Sequence, residues 1–125
     1  MDTSEKPVIT VPDGPPPSAL EVIDLVVGEG QEATDGMQVT VDYAGVAWST
    51  GQEFDASWNR NDTFTFGLGA RQVITGWDQG VAGMRVGGRR QLTIPPDMAY
   101  GSSGAGGVIG PDETLVFVVD LRGVG

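Results

Sequence analysis

The nine residues VITGWDQGV, at positions 73–81, form the centre of the only stretch of this chain that has helical spacing. Apolar side chains recur there at three- and four-residue steps, at Val73, Ile74, Trp77, Val81 and Met84. Such steps place side chains on one face of a helix. The glycines Gly76, Gly80 and Gly83 each weaken an isolated helix by about 1 kcal/mol relative to alanine. The sequence therefore predicts one short helix that is held in place by packing.

The segments around this helix have the composition and the alternation of strands. Strand-like patterns cover residues 20–27, 39–44, 64–68, 92–94 and 115–121. The last of these segments is apolar on both faces, because Val116 and Val118 lie between Leu115, Phe117 and Val119. A strand with two apolar faces is typical of the centre of a sheet.

Composition and charge exclude several classes of function. The chain has no cysteine and no histidine, which removes disulfides, thiolate nucleophiles, serine–histidine catalysis and imidazole-based zinc sites. Its net charge of −10 argues against nucleic acid and anionic membrane partners, both of which need clustered cations. The only basic cluster is formed by Arg85, Arg89 and Arg90, which we interpret as an arginine-rich sheet edge. We expect a monomer in the cytoplasm, without cofactor or metal.

The first 19 residues differ in composition from the remainder. They contain Pro7, Pro12 and the run 15–17, with acidic residues between them, so they favour an extended arm and cannot join a central strand. This division gives an acidic, proline-rich arm at 1–19 and one domain at 20–125. The arm either lies along the domain, hangs free, or serves as a docking peptide for another protein.

Seven aromatic residues lie where they could converge: Tyr43, Phe54, Phe64, Phe66, Trp77, Tyr100 and Phe117. For Phe66 the strand pattern alone indicates a core position. Trp77 lies among glycines and Tyr100 lies in a loop, and both carry polar groups that need partners when buried. The pattern is consistent with either a pocket or a plain core.

At these residues the chain resembles the FKBP family of peptidyl-prolyl cis/trans isomerases, which bind tacrolimus and rapamycin. The resemblance runs in order over residues 20–123, in the segments VDYAG at 41–45, FDAS at 54–57, FTF at 64–66, VITGWDQGV at 73–81, MRVG at 84–87, AYG at 99–101 and TLVF at 114–117. Family members often carry histidine and proline where Ala105 and Gly106 stand here. This departure concerns ligand preference more than activity.

The resemblance implies an α+β fold, with an antiparallel sheet of about five strands wrapped around one short helix. It also implies a pocket between helix and sheet, with Trp77 as its floor. The residues that it assigns to catalysis are Tyr43, Asp55, Ile74, Trp77, Tyr100 and Phe117. It assigns ligand contacts to Phe54, Phe64, Phe66, Val73 and Ile109.

The implied activity is rotation of Xaa–Pro bonds in proline-containing polypeptides, assisting protein folding. In this interpretation the Ile74 N–H and the Tyr100 hydroxyl donate hydrogen bonds to the substrate. Asp55 accepts from Tyr43 and pairs with Arg60, although a carboxylate near the twisting carbonyl could also act on it. One alternative is a macrolide- or peptide-binding module with incidental turnover. A holdase chaperone is disfavoured, because the loop 101–110 is too short to hold the extra domain of such relatives.

Overall fold

The computed structural model describes all 125 residues and contains one six-stranded antiparallel sheet and one α-helix. The strands are β1 (Glu21–Val26), β2 (Gln38–Ala47), β3 (Glu53–Ala56), β4 (Phe64–Gly67), β5 (Arg89–Ile94) and β6 (Leu115–Val124), and the helix is α1 (Thr75–Gly80). The α+β class with one short helix is confirmed. The strand that the sequence pattern did not show is β3. The helical segments all fall short of the length and apolar character that a membrane-spanning helix needs.

The strand order places β6 at the centre of the sheet. The order is β1-β5-β6-β2-β3, and β4 pairs with β2 beside β3. The long strand β2 therefore pairs with β6 along one edge, and with β4 and then β3 along the other. This arrangement confirms that the strand with two apolar faces is internal.

The helix lies close against β5 because its glycines allow it. A Cβ atom on Gly76 would stand 2.5 Å from Cγ2 of Ile94, and one on Gly80 would stand 2.7 Å from Cδ2 of Leu92. Two of the three glycines that weaken the isolated helix thus permit its packing. The helix is shorter than the apolar spacing suggested, because Ile74 is extended (φ −59°, ψ 151°) and the helix begins only after it.

The core lies between α1 and the sheet, where Trp77, Val81 and Met84 are buried against strand residues. On β5 and β6 a buried ion pair joins Arg89 to Asp120: Nε donates to Oδ1 at 2.6 Å and Nη2 donates to Oδ2 at 3.0 Å. Next to it, Arg90 of β5 pairs with an aspartate of β1. Both arginines of the basic cluster that lie on β5 are therefore engaged within the sheet.

The beginning of the chain is bound to the domain. The carbonyl of Thr3 accepts from Arg122 at 2.7 Å, and the carbonyl of Glu5 accepts from Arg89 at 2.6 Å. The side chain of Lys6 pairs with Glu53 at 2.8 Å. Residues 1–19 form no strand, and their first six residues lie along the domain.

Candidate functional site

A cavity of about 210 Å³ opens between the start of α1 and the sheet. Eight of its ten lining residues are hydrophobic. Strands β2, β3, β4 and β6, the helix and the segment before it, and the loop after β5 all contribute. The lining residues are Tyr43, Phe54, Asp55, Phe64, Gln72, Val73, Ile74, Trp77, Tyr100 and Phe117. The volume is below the roughly 300–1,000 Å³ typical of clefts for drug-sized ligands, so the cavity suits one ring-sized side chain and its adjacent peptide groups.

The indole of Trp77 forms the floor of this cavity. Its ring centroid lies 5.0 Å from that of Tyr43, 5.2 Å from that of Phe117 and 6.1 Å from that of Phe64, all in edge-to-face geometry. Phe66 contacts the indole at 5.6 Å. These separations fall within the range that favours aromatic pairs. The floor is rigid because each ring is held by several others.

A β-bulge directs Phe54 into the cavity. Gly45 of β2 pairs with Asp55 and the next residue, Val46, pairs with Glu53, so Phe54 is the extra residue of β3. Bulges re-aim side chains in this way. The Phe54 ring then meets the Phe117 ring at 5.4 Å, edge to face. Gly45 leaves space for this contact, since a Cβ atom there would lie within 2.8 Å of both rings.

A polar cluster closes one side of the cavity. The Tyr43 hydroxyl donates to Oδ2 of Asp55 at 2.6 Å, and Arg60 binds both groups, at 2.7 Å to Asp55 Oδ1 and 2.8 Å to the Tyr43 oxygen. Burial acts to raise the pKa of Asp55, but the hydrogen bonds from Tyr43 and Arg60 outweigh it and hold the pKa below its ordinary value. Burial, and then the bond to Asp55, raises the pKa of Tyr43. Asp55 is therefore an engaged carboxylate, in the geometry that the sequence suggested.

Apart from the buried indole N–H of Trp77, which has no hydrogen-bond partner, two donors at the cavity have no acceptor within the chain. The backbone N–H of Ile74 makes none of the loop hydrogen bonds, because the chain is extended just before the helix. The hydroxyl of Tyr100, on a side chain that is 40% exposed, also bonds to no protein group. Burial raises the pKa of Tyr100, and the nearby charge of Asp55 adds to that effect. The phenol is therefore protonated and able to donate at neutral pH.

The structure brings together most of the residues that the sequence singled out. Nine of the eleven line the cavity. Phe66 and Ile109 do not line it. Phe66 lies behind Trp77 in the core, as its strand pattern alone indicated, and Ile109 is buried in the same core cluster. The sequence reasoning did not include Gln72, which lines the cavity while its side-chain oxygen accepts from the N–H of Gly67. Its position directly before Val73 was the available signal.

No group of three or more acidic, histidine or cysteine side chains is placed to hold a metal ion. What the site offers is an apolar floor, aromatic walls and two free donors. Such a site can hold a small ring and orient the carbonyl groups next to it.

Comparisons with known proteins identify this arrangement. The family model for FKBP-type peptidyl-prolyl cis-trans isomerases matches residues 29–122. The chain belongs to this family. It is 58% identical over 121 residues to an FK506-binding protein of Streptomyces anulatus, covering 96% of this chain and 98% of the relative. It is 52% identical over 117 residues to a probable FK506-binding protein of Corynebacterium glutamicum, covering 94% of this chain and 97% of the relative.

Solved structures agree with the family assignment. The crystal structure of AtFKBP13 superposes with a TM-score of 0.79 at 40% identity, and the match covers 88% of this chain and 96% of that one. The chain is thus an FKBP-type peptidyl-prolyl isomerase. Strand β1 lies before the matched residues of the family model, yet it pairs with β5 within the same sheet.

Proposed function

We propose that this isomerase binds the proline ring of an extended polypeptide against Trp77 and lets the preceding amide twist there, with no covalent intermediate. The observation that carries the proposal is the pairing of a ring-sized apolar cavity with two unpartnered donors, the Ile74 N–H and the Tyr100 hydroxyl. The donors would hold substrate carbonyls while the ring sits on the indole.

The chemistry follows from the nature of the barrier. Rotation about an Xaa–Pro bond is opposed by about 18–20 kcal/mol, because the twisted state loses amide resonance. The planar amide is more polar than the twisted one, so a dry aromatic cavity favours the twisted state relative to the planar state. Each 1.4 kcal/mol or so of this preference accelerates rotation about tenfold. No nucleophile, acid or base is required.

The direct test is exchange NMR on a short Xaa–Pro peptide with catalytic amounts of protein. We expect the separate cis and trans signals to broaden and merge as the protein is added. The control is Trp77→Leu, which replaces the indole by a smaller side chain and should therefore broaden the signals less. Peptide binding without faster exchange would instead show a binding module with no useful turnover, and the catalytic proposal would be abandoned.

We also propose that the cavity accepts one ring-sized part of a macrolide, with the remainder of the ligand outside it. Two relatives that match nearly the whole chain are named for binding FK506, and nine of the residues we assigned to the site line the cavity here. FK506 or rapamycin should therefore suppress the peptide exchange competitively. Suppression that does not weaken as peptide concentration rises would place the macrolide elsewhere.

For the cellular setting we propose a monomer that assists protein folding in the cytoplasm. The chain has no cysteine, so its folding requires no oxidising compartment for disulfide formation. Its net charge of −10 opposes self-association. Sedimentation at several concentrations tests the monomer. Cell fractionation tests the location. Refolding of a substrate whose slow phase is proline isomerisation tests the folding role.

A further inference from the structure

Lys6 is the only lysine of the chain, and it closes a polar cluster beside the cavity. Its Nζ lies 2.8 Å from Glu53 Oε1 and donates to Asn59 Oδ1 at 3.0 Å. Asn59 in turn donates to the second carboxylate oxygen of Glu53 at 2.9 Å. The three side chains form a ring of contacts, which we call the Lys6 clamp. It links the beginning of the chain to a segment about fifty residues later.

The clamp holds the two ends of one cavity wall. Glu53 directly precedes Phe54 and Asp55, both of which line the cavity. Asn59 directly precedes Arg60, which binds Asp55 and the Tyr43 hydroxyl. Residues 53–60 therefore carry one wall of the site, with the clamp behind it.

The sheet alone holds this wall weakly. Strand β3 has four residues and pairs only with β2, through three residue pairs that a bulge interrupts. Residues 57–60 form a single 3-10 turn with no side-chain cap. Its first residue is bonded to β2, where the Ser57 hydroxyl accepts from the Tyr43 N–H at 2.8 Å and donates to Asp42 at 2.7 Å. Short edge strands and irregular turns open more readily than central strands. The position of Phe54 thus depends on contacts outside the sheet.

We propose that Lys6 is a positioning residue for the isomerase site: through Glu53 and Asn59 it keeps Phe54 and Asp55 in their places at the cavity. The inference rests on the proposed function and deepens it. Loss of the Lys6 charge loosens the wall, so the peptide binds more weakly while the bound peptide still twists on Trp77.

The backbone next to Lys6 is fixed independently of its side chain. The Glu5 carbonyl accepts from Arg89, a residue buried in its ion pair with Asp120, and the Thr3 carbonyl accepts from Arg122. Neutralising the Lys6 amine therefore removes the clamp and leaves the chain start attached. This separates the effect of the clamp from the effect of losing the arm.

Because Lys6 is the sole lysine and its side chain is 39% exposed, an amine-acetylating reagent can neutralise it selectively in the full-length protein. The other target is the amino terminus. Lys6→Arg is the matched control, since arginine keeps the charge and is not acetylated. Arg85→Met is a second control, because it removes an exposed pair with Glu32 at 3.5 Å that lies away from the cavity.

We expect acetylation of the natural protein to raise KM for a Xaa–Pro peptide by about two- to fivefold, the range set by a half-exposed ion pair, with kcat nearly unchanged. The amide signals of Phe54 and Asp55 should shift together. Treated Lys6→Arg protein should keep the KM of the untreated protein, and Arg85→Met should leave KM unchanged.

An unchanged KM after complete acetylation overturns the proposal, as does an equal rise in treated Lys6→Arg protein, which would assign the effect to the amino terminus. Unmoved Phe54 and Asp55 amides also overturn it. If the untreated protein shows no turnover, the proposed function fails instead. The amide shifts and peptide affinity then still decide the role of Lys6.

Discussion

Replacing Asp55 by asparagine tests the central claim that the site works without a reacting group. Asparagine keeps one oxygen that can accept from Tyr43, which now donates to Oδ2 at 2.6 Å, but it loses the charge that faces Arg60 at 2.7 Å. Because the Asp55 and Arg60 side chains are 41% and 52% exposed, their ion pair contributes at most about 1 kcal/mol. Weakening the tyrosine bond to a neutral acceptor costs about another 1 kcal/mol. We therefore expect Asp55→Asn to lower the free energy of unfolding by about 1–2 kcal/mol.

Turnover should change far less than stability. The Tyr43 ring remains packed against Trp77 at 5.0 Å, so the walls and the floor of the cavity persist. We expect kcat/KM for a Xaa–Pro peptide to stay within about threefold of the natural protein. Denaturant unfolding gives the stability, and peptide exchange at native conditions gives the turnover on the same sample.

Tyr43→Phe completes a double-mutant cycle, because it breaks the same hydrogen bond and leaves the carboxylate in place. The two substitutions should be non-additive in stability, with a coupling of about 1 kcal/mol. A fall of about a hundredfold or more in kcat/KM for Asp55→Asn, with a folded protein and an active Tyr43→Phe variant, would refute the reasoning. The carboxylate would then be acting on the twisting amide with roughly 2.7 kcal/mol.

Three further outcomes follow. Because the pKa of Asp55 is lowered by folding, the stability that Asp55 contributes is present above the ordinary carboxyl pKa, near pH 4, and is lost as pH falls through the folded-state pKa. Because the pKa of Tyr43 is raised by folding, the stability that Tyr43 contributes is present below about pH 10 and is lost as pH rises through the folded-state pKa. We therefore expect kcat/KM to be flat from about pH 5 to 9, and an inflection near neutrality would contradict this. Trp77→Leu should lower the free energy of unfolding by about 2–4 kcal/mol and should also weaken peptide binding, because the indole is 5% exposed yet lines the cavity. An unchanged peptide affinity would show that Trp77 is a core residue without a role in binding. Gly76→Ala should destabilise the protein by up to about 2 kcal/mol despite the helix propensity of alanine, because the new Cβ would lie 2.5 Å from Ile94. A higher unfolding temperature of this variant in calorimetry would disprove the packing argument.

The parts of the fold that could be predicted from sequence are those with a strong local period. The two apolar faces of residues 115–121 indicated a central strand, and β6 lies between β5 and β2. The spacing around Trp77 indicated a short helix held by packing, and the close contacts of Gly76 and Gly80 with β5 are that packing. In both cases burial follows directly from the pattern of the residues.

Strand β3 and its bulge could not be predicted in this way. Four residues are too few to show a period of two, and the register of β3 depends on β2 through Gly45, which has no side chain. The extra residue, Phe54, interrupts the alternation of side chains between the two faces of the strand. The resemblance to a family named Phe54 as a ligand contact, but the reason that its ring points inward is visible only in the pairing.

Phe66 and Ile109 show a second limit of prediction from sequence, which concerns whether an apolar side chain lines the cavity or is buried behind it. A strand pattern places Phe66 on the same face as Phe64, and two residues along a strand do share a face. It does not say which of the two lies at an opening. In the structure Phe64 lines the cavity, whereas Phe66 stacks on it at 5.7 Å and is buried behind the indole. The distinction depends on where the helix begins and how it lies against the sheet, which is a property of the packed molecule.

The two sides of the site are held by different forces, and this decides where function can be altered separately from stability. The floor around Trp77 and Phe117 is also the core, so any substitution there changes both binding and the free energy of unfolding. The wall that carries Phe54 is held by a short bulged strand and by exposed polar contacts. Each of those contacts contributes little to global stability, yet each fixes a side chain at the cavity. Ligand preference in this isomerase should therefore change through residues 53–60 and their partners, while the floor stays constant.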